Sequence, residues 1–226
     1  MNEEKKVYTK EFLDSIQEKL YTAVICDILD DLGYRNQAMK GNLKPLDQDQ
    51  TVVGTARTIL AYDVFELPET AYTTEIEAVD SIQPGDVVVV CTNNSKSNGF
   101  WGELLSTAAI ARGGRGVIVD GAIRDIKMIR ALKNQFAVFT AGSNPLDSKG
   151  RCLVASYNRP IMCDGVMVNP GDLIFGDIDG IVVVPRHLIE EVIKKSLAKV
   201  EGENVVRDEL RKGRFLKEVF EEYKIL

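Results

Sequence analysis

An arginine and an aspartate stand side by side where a predicted strand ends. The strand is the apolar run at residues 117–119, which is rich in β-branched side chains, as buried parallel strands are. A glycine-containing turn over residues 120–125 is predicted to follow and to present Arg124 and Asp125. Arg124 can bind a carboxylate through two N–H groups, and Asp125 can bind a hard divalent cation. The pair therefore indicates a site for a small anion and a metal, and an exposed ion pair without a catalytic role is the alternative.

A second group of residues could bind an anion through the backbone. A loop of small polar residues, 92–99, precedes a helix that is predicted to begin near Gly102 and to run to about Arg112. The first amide N–H groups of a helix have no partner within it, and they add positive potential at its start. These amides suit a carboxylate or a phosphate, whereas an ordinary helix start below a flexible loop is the competing interpretation.

Three apolar runs alternate with two predicted helices and so predict a β-α-β-α-β unit. The runs are residues 87–90, 117–119 and 136–139. Strands in such a unit are parallel, and their crossovers are right-handed. Loops 92–102 and 120–125 then leave the same edge of the sheet, and the crevice between them is the predicted site.

The sequence predicts a single α/β domain over residues 1–226. The core is expected at about 51–185, with N-terminal helices at about 9–33 and C-terminal helices at about 187–223. No low-complexity stretch, repeat or long linker divides the chain.

Cap and turn residues predict several boundaries within these regions. Thr22 is the expected N-cap of a helix that ends at Gly33. Residues 164–165, an Asp-Gly pair, are typical of a type I′ hairpin turn. Gly202 and Gly213 are expected to interrupt the C-terminal helices.

Composition excludes several classes of function. The 34 acidic and 28 basic side chains give a net charge of −6, without the basic excess of a nucleic-acid binder. No apolar run reaches the roughly 18 residues that a membrane span needs, and residues 1–6 lack the apolar centre of a signal peptide. A cytoplasmic protein is expected. Its scattered cysteines are then expected to be reduced thiols: Cys26, Cys91, Cys152 and Cys163.

Other residues that could carry chemistry have simpler interpretations. His187 is the only histidine, which disfavours a histidine-dependent triad or metal cluster. Residues 113–116, rich in glycine, precede a strand rather than follow one, so a turn is expected instead of a dinucleotide loop. Lys96 and Lys127 flank the crevice and could form Schiff bases, but surface or anion-attracting roles are favoured. An acidic group on a predicted helix is interpreted as a solvated face rather than a diphosphate site: Asp27, Asp30 and Asp31.

The chain resembles the RraA-like family. This family includes 4-hydroxy-4-methyl-2-oxoglutarate/4-carboxy-4-hydroxy-2-oxoadipate aldolases and the regulator of ribonuclease E activity A. The similar segments are residues 102–104, 116–125, 165–172 and 176–185, in the order and spacing of the family. The resemblance extends over roughly residues 20–200, and the set of motifs is far more specific than any one of them.

The resemblance implies a fold, an assembly and a set of ligands. The fold is a swivelling β/α/β domain with a parallel central unit, extra antiparallel strands and flanking helices. The assembly is a homotrimer or homohexamer with sites between subunits. The resemblance further implies a divalent cation, usually Mg²⁺ with Mn²⁺ possible, which Asp125 and water bind. Arg124 would bind the pyruvyl part of the substrate together with the backbone of a helix start: Gly102, Glu103, Leu104 and Leu105.

Two further roles are implied for carboxylates. Glu203 is the candidate for a glutamate that a neighbouring subunit adds to the site. Asp120 or Glu103 could orient the water that shuttles a proton, although Asp120 could instead only shape the turn. The distal pocket, which would select the substrate, is expected from loops that include 62–72 and 141–150.

The implied activity is cleavage of a C–C bond in a 2-oxo acid through a pyruvate enolate, as in an aldolase or an oxaloacetate decarboxylase. The alternative is a non-catalytic, protein-binding regulator of the ribonuclease E type. That branch of the family lacks the aspartate after the arginine, so Asp125 favours catalysis. Some relatives carry a menaquinone methyltransferase label, but this chain has no glycine-rich loop for S-adenosylmethionine after a strand.

Overall fold

The computed structural model describes residues 8–68 and 71–226, apart from the side chain of Asn134. The prediction about a signal peptide concerns residues 1–6, which lie outside this range. Within it the helices are α1 (Lys10–Lys19), α2 (Thr22–Asp31), α3 (Thr73–Asp80), α4 (Glu103–Ala111), α5 (Ile126–Ala131), α6 (Ile189–Arg211) and α7 (Leu216–Tyr223). The strands are β1 (Lys44–Pro45), β2 (Val52–Asp63), β3 (Asp86–Cys91), β4 (Gly99–Trp101), β5 (Gly116–Ile123), β6 (Ala137–Ser143), β7 (Cys152–Tyr157), β8 (Ile161–Cys163), β9 (Val166–Val168), β10 (Leu173–Gly176) and β11 (Ile181–Val184).

One mixed sheet organises the fold. Its main strand order is β1-β6-β5-β3-β2-β10-β11, and β4 and β7 pair with β5 and β2. The four central strands β2, β3, β5 and β6 are parallel. The strands added at either side, β1, β7, β10 and β11, pair antiparallel. The predicted β-α-β-α-β unit is β3-α4-β5-α5-β6, and the predicted α/β fold class is confirmed.

The apolar run in β3 is buried on both faces of the sheet. Val88 and Val90 face a core cluster that includes residues of α3, α4 and α5. Val87 and Val89 face the opposite cluster, which includes the β8–β9 hairpin. Burial of each such valine stabilises the fold by roughly 1.5–3 kcal/mol, and double coverage explains why the run is continuous rather than alternating.

The N-terminal helices α1 and α2 and the C-terminal helix α6 contribute to a third core cluster. The predicted N-cap of α2 was wrong by one residue, because Tyr21 occupies the cap and Thr22 is the first helical residue. Asp177 explains the shift. Its carboxylate accepts hydrogen bonds from the Thr22 amide at 2.8 Å and the Thr22 hydroxyl at 2.7 Å. A residue far along the chain therefore supplies the cap that a local side chain was expected to give.

The predicted break at Gly202 was also wrong, because α6 runs through it without interruption. A Cβ at Gly202 would lie 2.5 Å from the Cδ1 atom of Ile225, so glycine makes room for the end of the chain. The break at Gly213 and the helix end at Gly33 are confirmed, with φ values of +87° and +86°. The type I′ turn at residues 164–165 is confirmed by positive φ at both residues and by pairing of β8 with β9.

The turn predicted over residues 120–125 was wrong for residues 120–123, because β5 continues as a buried strand to Ile123. Gly121 was interpreted as a turn residue, but it allows two chain segments to approach closely. A Cβ there would lie 2.3 Å from the hydroxyl of Thr92 and 2.3 Å from the carbonyl oxygen of Ser95. Because β5 is longer than predicted, Arg124 and Asp125 lie directly after its carboxyl end.

Candidate active site

The predicted crevice corresponds to the place where β4 takes over the position of β3 beside β5. The ladder of β3 against β5 ends at Val90, and the chain then forms a loop that returns as β4. Trp101 of β4 lies opposite Ile123, and the Arg124 amide donates to the Trp101 carbonyl oxygen at 2.9 Å. The two loops that were predicted to meet at this edge are therefore in contact. The short strand β4 inside the first loop was not predicted.

Helix α4 begins at this junction with Gly102 as its N-cap. Buried Trp101 fixes the first turn, because its indole N–H donates to the Ser106 hydroxyl at 2.9 Å. That hydroxyl in turn donates to the Gly102 carbonyl oxygen at 3.0 Å. These bonds hold the start of α4 in place, and the amides of its first turn have no partner within the helix.

Arg124, Asp125 and the start of α4 converge within a few ångströms. The Glu103 amide donates to Asp125 Oδ2 at 3.3 Å, and Arg124 Nε lies 3.7 Å from the same oxygen. A Cβ at Gly102 would lie 2.5 Å from Asp125 Oδ2 and 3.5 Å from Arg124 Nε. Glycine at this position therefore lets a carboxylate, a guanidinium and a helix start share one small space.

The backbone of Asp125 is in the left-handed region, with φ of +60°. Few residues other than glycine adopt this conformation, and aspartate tolerates it better than most. Strained residues of this kind are concentrated in functional sites, where surrounding structure enforces them. The conformation places the carboxylate at the α4 start while the next residue begins α5.

The other predicted residues of α4 have different environments. Glu103 is half-buried, and its Oε1 atom accepts from the Thr107 hydroxyl at 2.7 Å. The Leu104 side chain is 78% exposed beside the crevice, whereas Leu105 packs against the core under α4. Leu104 therefore offers an apolar surface at the start of α4.

Asp120 is buried, and its carboxylate links β5 to the end of β3 rather than shaping a turn. One carboxylate oxygen accepts from the Thr92 amide and, at 2.8 Å, from the Thr92 hydroxyl. These bonds join the end of β3 to the middle of β5. The second oxygen, Oδ2, is buried and has no hydrogen-bond partner among the described residues.

Glu203 lies on α6, and its contacts within one chain are with the helical layer. The Tyr21 hydroxyl donates to Glu203 Oε2, and Arg207 Nη2 lies 3.9 Å from that oxygen. These contacts do not bring Glu203 to Arg124 or Asp125. Its contribution from a neighbouring subunit stays a prediction.

Two residues that the sequence analysis did not single out are linked to Arg124. Asp147 contacts it directly, and Tyr72 contacts Asp147. Arg124 Nη1 lies 3.4 Å from Asp147 Oδ1, and the Tyr72 hydroxyl donates to Asp147 Oδ2 at 2.7 Å. Both belong to the loops expected to form the distal pocket, of which residues 69 and 70 lie outside the described range. Nearby on α3, burial raises the pKa of Glu75 to about 7; the charge of Asp147 adds to this rise and Arg124 opposes it.

The donor set at Asp125 fits a magnesium ion that keeps most of its water. The carboxylate is 43% exposed and supplies hard oxygen ligands. Among residues 8–68 and 71–226, no group of three or more His, Cys, Asp or Glu side chains is arranged to hold a metal. Mg²⁺ is commonly bound through one or two carboxylates together with water and substrate oxygens. Gly102 lets the start of α4 lie against this carboxylate, where a Cβ would clash with Oδ2.

The remaining candidates of the sequence lie outside this cluster. Lys96 and Lys127 are exposed, and His187 is hydrogen-bonded to the Tyr34 hydroxyl at 3.1 Å. Asp27 of the acidic group pairs with Lys199 at 2.6 Å. All four cysteines are free thiols. None of the helices described here is both long and apolar enough to traverse a bilayer.

Comparison with known proteins identifies the family. The RraA-like family model, described as Aldolase/RraA, matches residues 22–183. The chain belongs to the RraA-like family. A protein of Halalkalibacterium halodurans named "Putative 4-hydroxy-4-methyl-2-oxoglutarate aldolase" is 35% identical over 178 residues, which cover 79% of each chain.

Two further matches show how far the similarity extends. Protein DlpA of Legionella pneumophila is 31% identical over 89% of this chain, but this chain spans only 32% of the length of DlpA. The crystal structure of Streptomyces coelicolor RraAS2 is described as an unusual member of the RNase ES inhibitor RraA protein family. It is 29% identical with a TM-score of 0.78, and the match covers 89% of this chain and 98% of RraAS2. At the level of the family, the relatives named as aldolases support an aldolase-type lyase.

Proposed function

We propose that this RraA-like protein is a divalent-metal-dependent lyase that cleaves a C–C bond of a 2-oxo acid and releases pyruvate. The observation that carries the proposal is the convergence of Arg124, Asp125 and the α4 start around the missing Cβ of Gly102. A guanidinium, free amides and a hard oxygen donor are the groups that a 2-oxo carboxylate requires.

The residues would act on the charge that develops during cleavage. Arg124 binds the substrate carboxylate, and the first amides of α4 bind its oxygen atoms. The C–C bond to the distal fragment breaks as the hydroxyl of that fragment gives its proton to a water, and the fragment leaves as a carbonyl compound. The electrons of the broken bond form a pyruvate enolate, whose negative charge lies on the former keto oxygen. Arg124 and the amides stabilise this charge, and each such group is typically worth about 3–4 kcal/mol in the transition state. Asp125 would hold the Mg²⁺ or Mn²⁺ ion, which when bound adds positive charge at the same oxygen.

Decarboxylation of oxaloacetate gives the same enolate, so one site could perform both reactions. The enolate must be protonated, and Glu103 is the favoured carboxylate for orienting the water that carries the proton. Glu103 lies at the start of α4, whereas one Asp120 oxygen accepts both Thr92 hydrogen bonds and the other is buried inside the sheet. Asp120 would then support the site by holding β3 and β5 together.

We also propose the trimeric or hexameric assembly that the family resemblance implies. The Leu104 side chain, which is 78% exposed at the start of α4, would be covered by a subunit contact at this place. A neighbouring subunit would then bring its own copy of Glu203 to the site.

The test is release of pyruvate from oxaloacetate and from 4-hydroxy-4-methyl-2-oxoglutarate, with Mg²⁺ and with a chelator. We expect Asp125→Ala to lose at least about 100-fold in kcat/KM while its unfolding transition stays cooperative. Asp47→Asn, which removes a surface carboxylate paired with Arg130, is the control and should retain full activity. Turnover of Asp125→Ala at the wild-type rate, or turnover that the chelator leaves unchanged, would refute the assignment.

The second candidate function is a protein-binding regulator, which the similarity to Streptomyces coelicolor RraAS2 favours. It predicts inhibition of an RNase E-type nuclease by the wild-type chain without pyruvate release. Inhibition that Asp125→Ala retains in full, together with absent lyase activity, would support this candidate over the first.

A further inference from the structure

We propose that Asp147, anchored by the hydroxyl of Tyr72, is a positioning residue that sets the orientation of the Arg124 guanidinium. The proposal rests on the proposed function, in which Arg124 binds the substrate carboxylate. It adds two residues to the site, from loops far from Arg124 in sequence.

The contacts form a chain of three groups. The Tyr72 hydroxyl donates to Asp147 Oδ2 at 2.7 Å, and Asp147 Oδ1 lies 3.4 Å from Arg124 Nη1. Each carboxylate oxygen thus has its own partner, so the plane of the carboxylate is fixed from both sides. The Ser148 hydroxyl adds a weak third contact to Asp147 Oδ1 at 3.5 Å.

The position of the contact on the guanidinium matters. Asp147 lies against Nη1, whereas Asp125 Oδ2 lies 3.7 Å from Nε, beyond hydrogen-bond distance. The edge formed by Nε and Nη2 can therefore still take a carboxylate in a two-pronged grip. Nε lies 3.5 Å from the position of a Cβ on Gly102, so this edge faces the start of α4. A partner on Nη1 therefore restrains the guanidinium from outside the edge that meets the substrate.

The electrostatics agree with this geometry. Burial works against ionisation of Asp147, but the hydrogen bond from Tyr72 and the charge of Arg124 together hold its pKa below the ordinary value. Asp147 is therefore a carboxylate in the working range of pH. The raised pKa of Glu75 keeps a second negative charge from competing for the same arginine below about pH 7.

The backbone of Tyr72 has an unusual, left-handed conformation. The residue has φ of +72° and is the N-cap of α3, although its side chain caps no amide of that helix. The backbone strain is consistent with a residue that a distant contact keeps in place.

The experiment compares Asp147→Asn and Tyr72→Phe with Asp47→Asn. Asp47 is a matched control, because its side chain is 38% exposed against 37% for Asp147 and it also pairs with an arginine. Pyruvate release gives kcat and KM, and ¹⁵N relaxation of the Arg124 Nε–H group in the substrate-free protein gives its mobility.

We expect Asp147→Asn to raise KM about tenfold with a smaller change in kcat, and to increase Arg124 mobility. Tyr72→Phe should act in the same direction by about threefold, because it loosens Asp147 but leaves its charge. The double variant should be no worse than Asp147→Asn alone, since Tyr72 acts only through Asp147. Asp47→Asn should match the wild type in every readout.

The two readouts, pyruvate release and Arg124 mobility, separate failure of this inference from failure of the proposed function. If the wild type releases pyruvate and Asp147→Asn changes neither KM nor Arg124 mobility, the positioning role is wrong and the function stands. If Asp147→Asn only lowers the unfolding temperature, the residue is merely structural and the inference is also wrong. If the wild type releases no pyruvate, the proposed function fails. The mobility of Arg124 still decides the inference in that case, because it needs no substrate.

Discussion

Replacing Gly102 by alanine tests whether the site depends on the close approach of α4 to Asp125. The new Cβ would lie 2.5 Å from Asp125 Oδ2, so the carboxylate must move about 0.9 Å to reach an ordinary contact of 3.4 Å. A displacement of about 1 Å at a reacting centre can cost about 100-fold in rate. We therefore expect kcat/KM for pyruvate release to fall about 100-fold in Gly102→Ala.

The same substitution should have little effect on the stability of the fold. The clash involves the end of a half-exposed side chain, and the backbone of Gly102, with φ of −137°, is one that alanine adopts freely. Alanine is a poorer N-cap than glycine by up to about 1 kcal/mol, a small part of a typical stability of about 5–15 kcal/mol. Urea denaturation should therefore show a shift of about 1 kcal/mol or less.

Gly180→Ala is the matched control. No heavy atom lies within 4 Å of its added Cβ, so both activity and stability should stay at wild-type values. If Gly102→Ala retains wild-type kcat/KM, the carboxylate has no role that depends on its position. If activity falls only in parallel with stability, the loss comes from unfolding, and the reasoning is refuted in that way too.

Three further predictions concern stability. Native Glu75, with a pKa of about 7, holds a proton that the unfolded chain releases near pH 4.5, so stability should fall as pH rises between these values. Glu75→Gln should abolish that fall and gain about 1–2 kcal/mol over wild type at pH 8 in urea titrations, and equal pH slopes would contradict this. Asp86→Asn should cost about 3–5 kcal/mol, because Arg57 Nη2 lies 2.8 Å from Asp86 in a buried pair; a loss under 1 kcal/mol would disprove the importance of that pair. Asp177→Ala should cost about 1–2 kcal/mol by uncapping α2 at Thr22, and faster hydrogen exchange confined to the first turn of α2 would locate the effect.

Patterns within short segments predicted most of the fold. Strand β3 has a continuous apolar run because both faces of the sheet are covered, and such runs are typical of parallel strands. Gly33, Gly213 and residues 164–165 were correctly assigned to helix ends and a turn, because their positive φ is a local requirement. Once the parallel order was predicted, the meeting of the two loops followed from the geometry of crossovers.

Features that depend on distant partners could not be predicted in this way. Gly121 and Gly202 were assigned to a turn and a break, but each is needed because another segment comes within 2.5 Å of its missing Cβ. Asp177 caps a helix more than 150 residues away in sequence. The Arg124–Asp147 pair has the same character, since no local pattern marks either residue as the partner of the other.

The most direct test is a crystal structure of the protein grown with Mn²⁺ and oxalate, a planar mimic of the pyruvate enolate. We predict anomalous scattering from Mn²⁺ beside the Asp125 carboxylate. We also predict oxalate oxygens against the first amides of α4 and the Nε and Nη2 edge of Arg124. Mn²⁺ and oxalate bound elsewhere, or a crevice closed by side chains with no ion at Asp125, would contradict the proposed site.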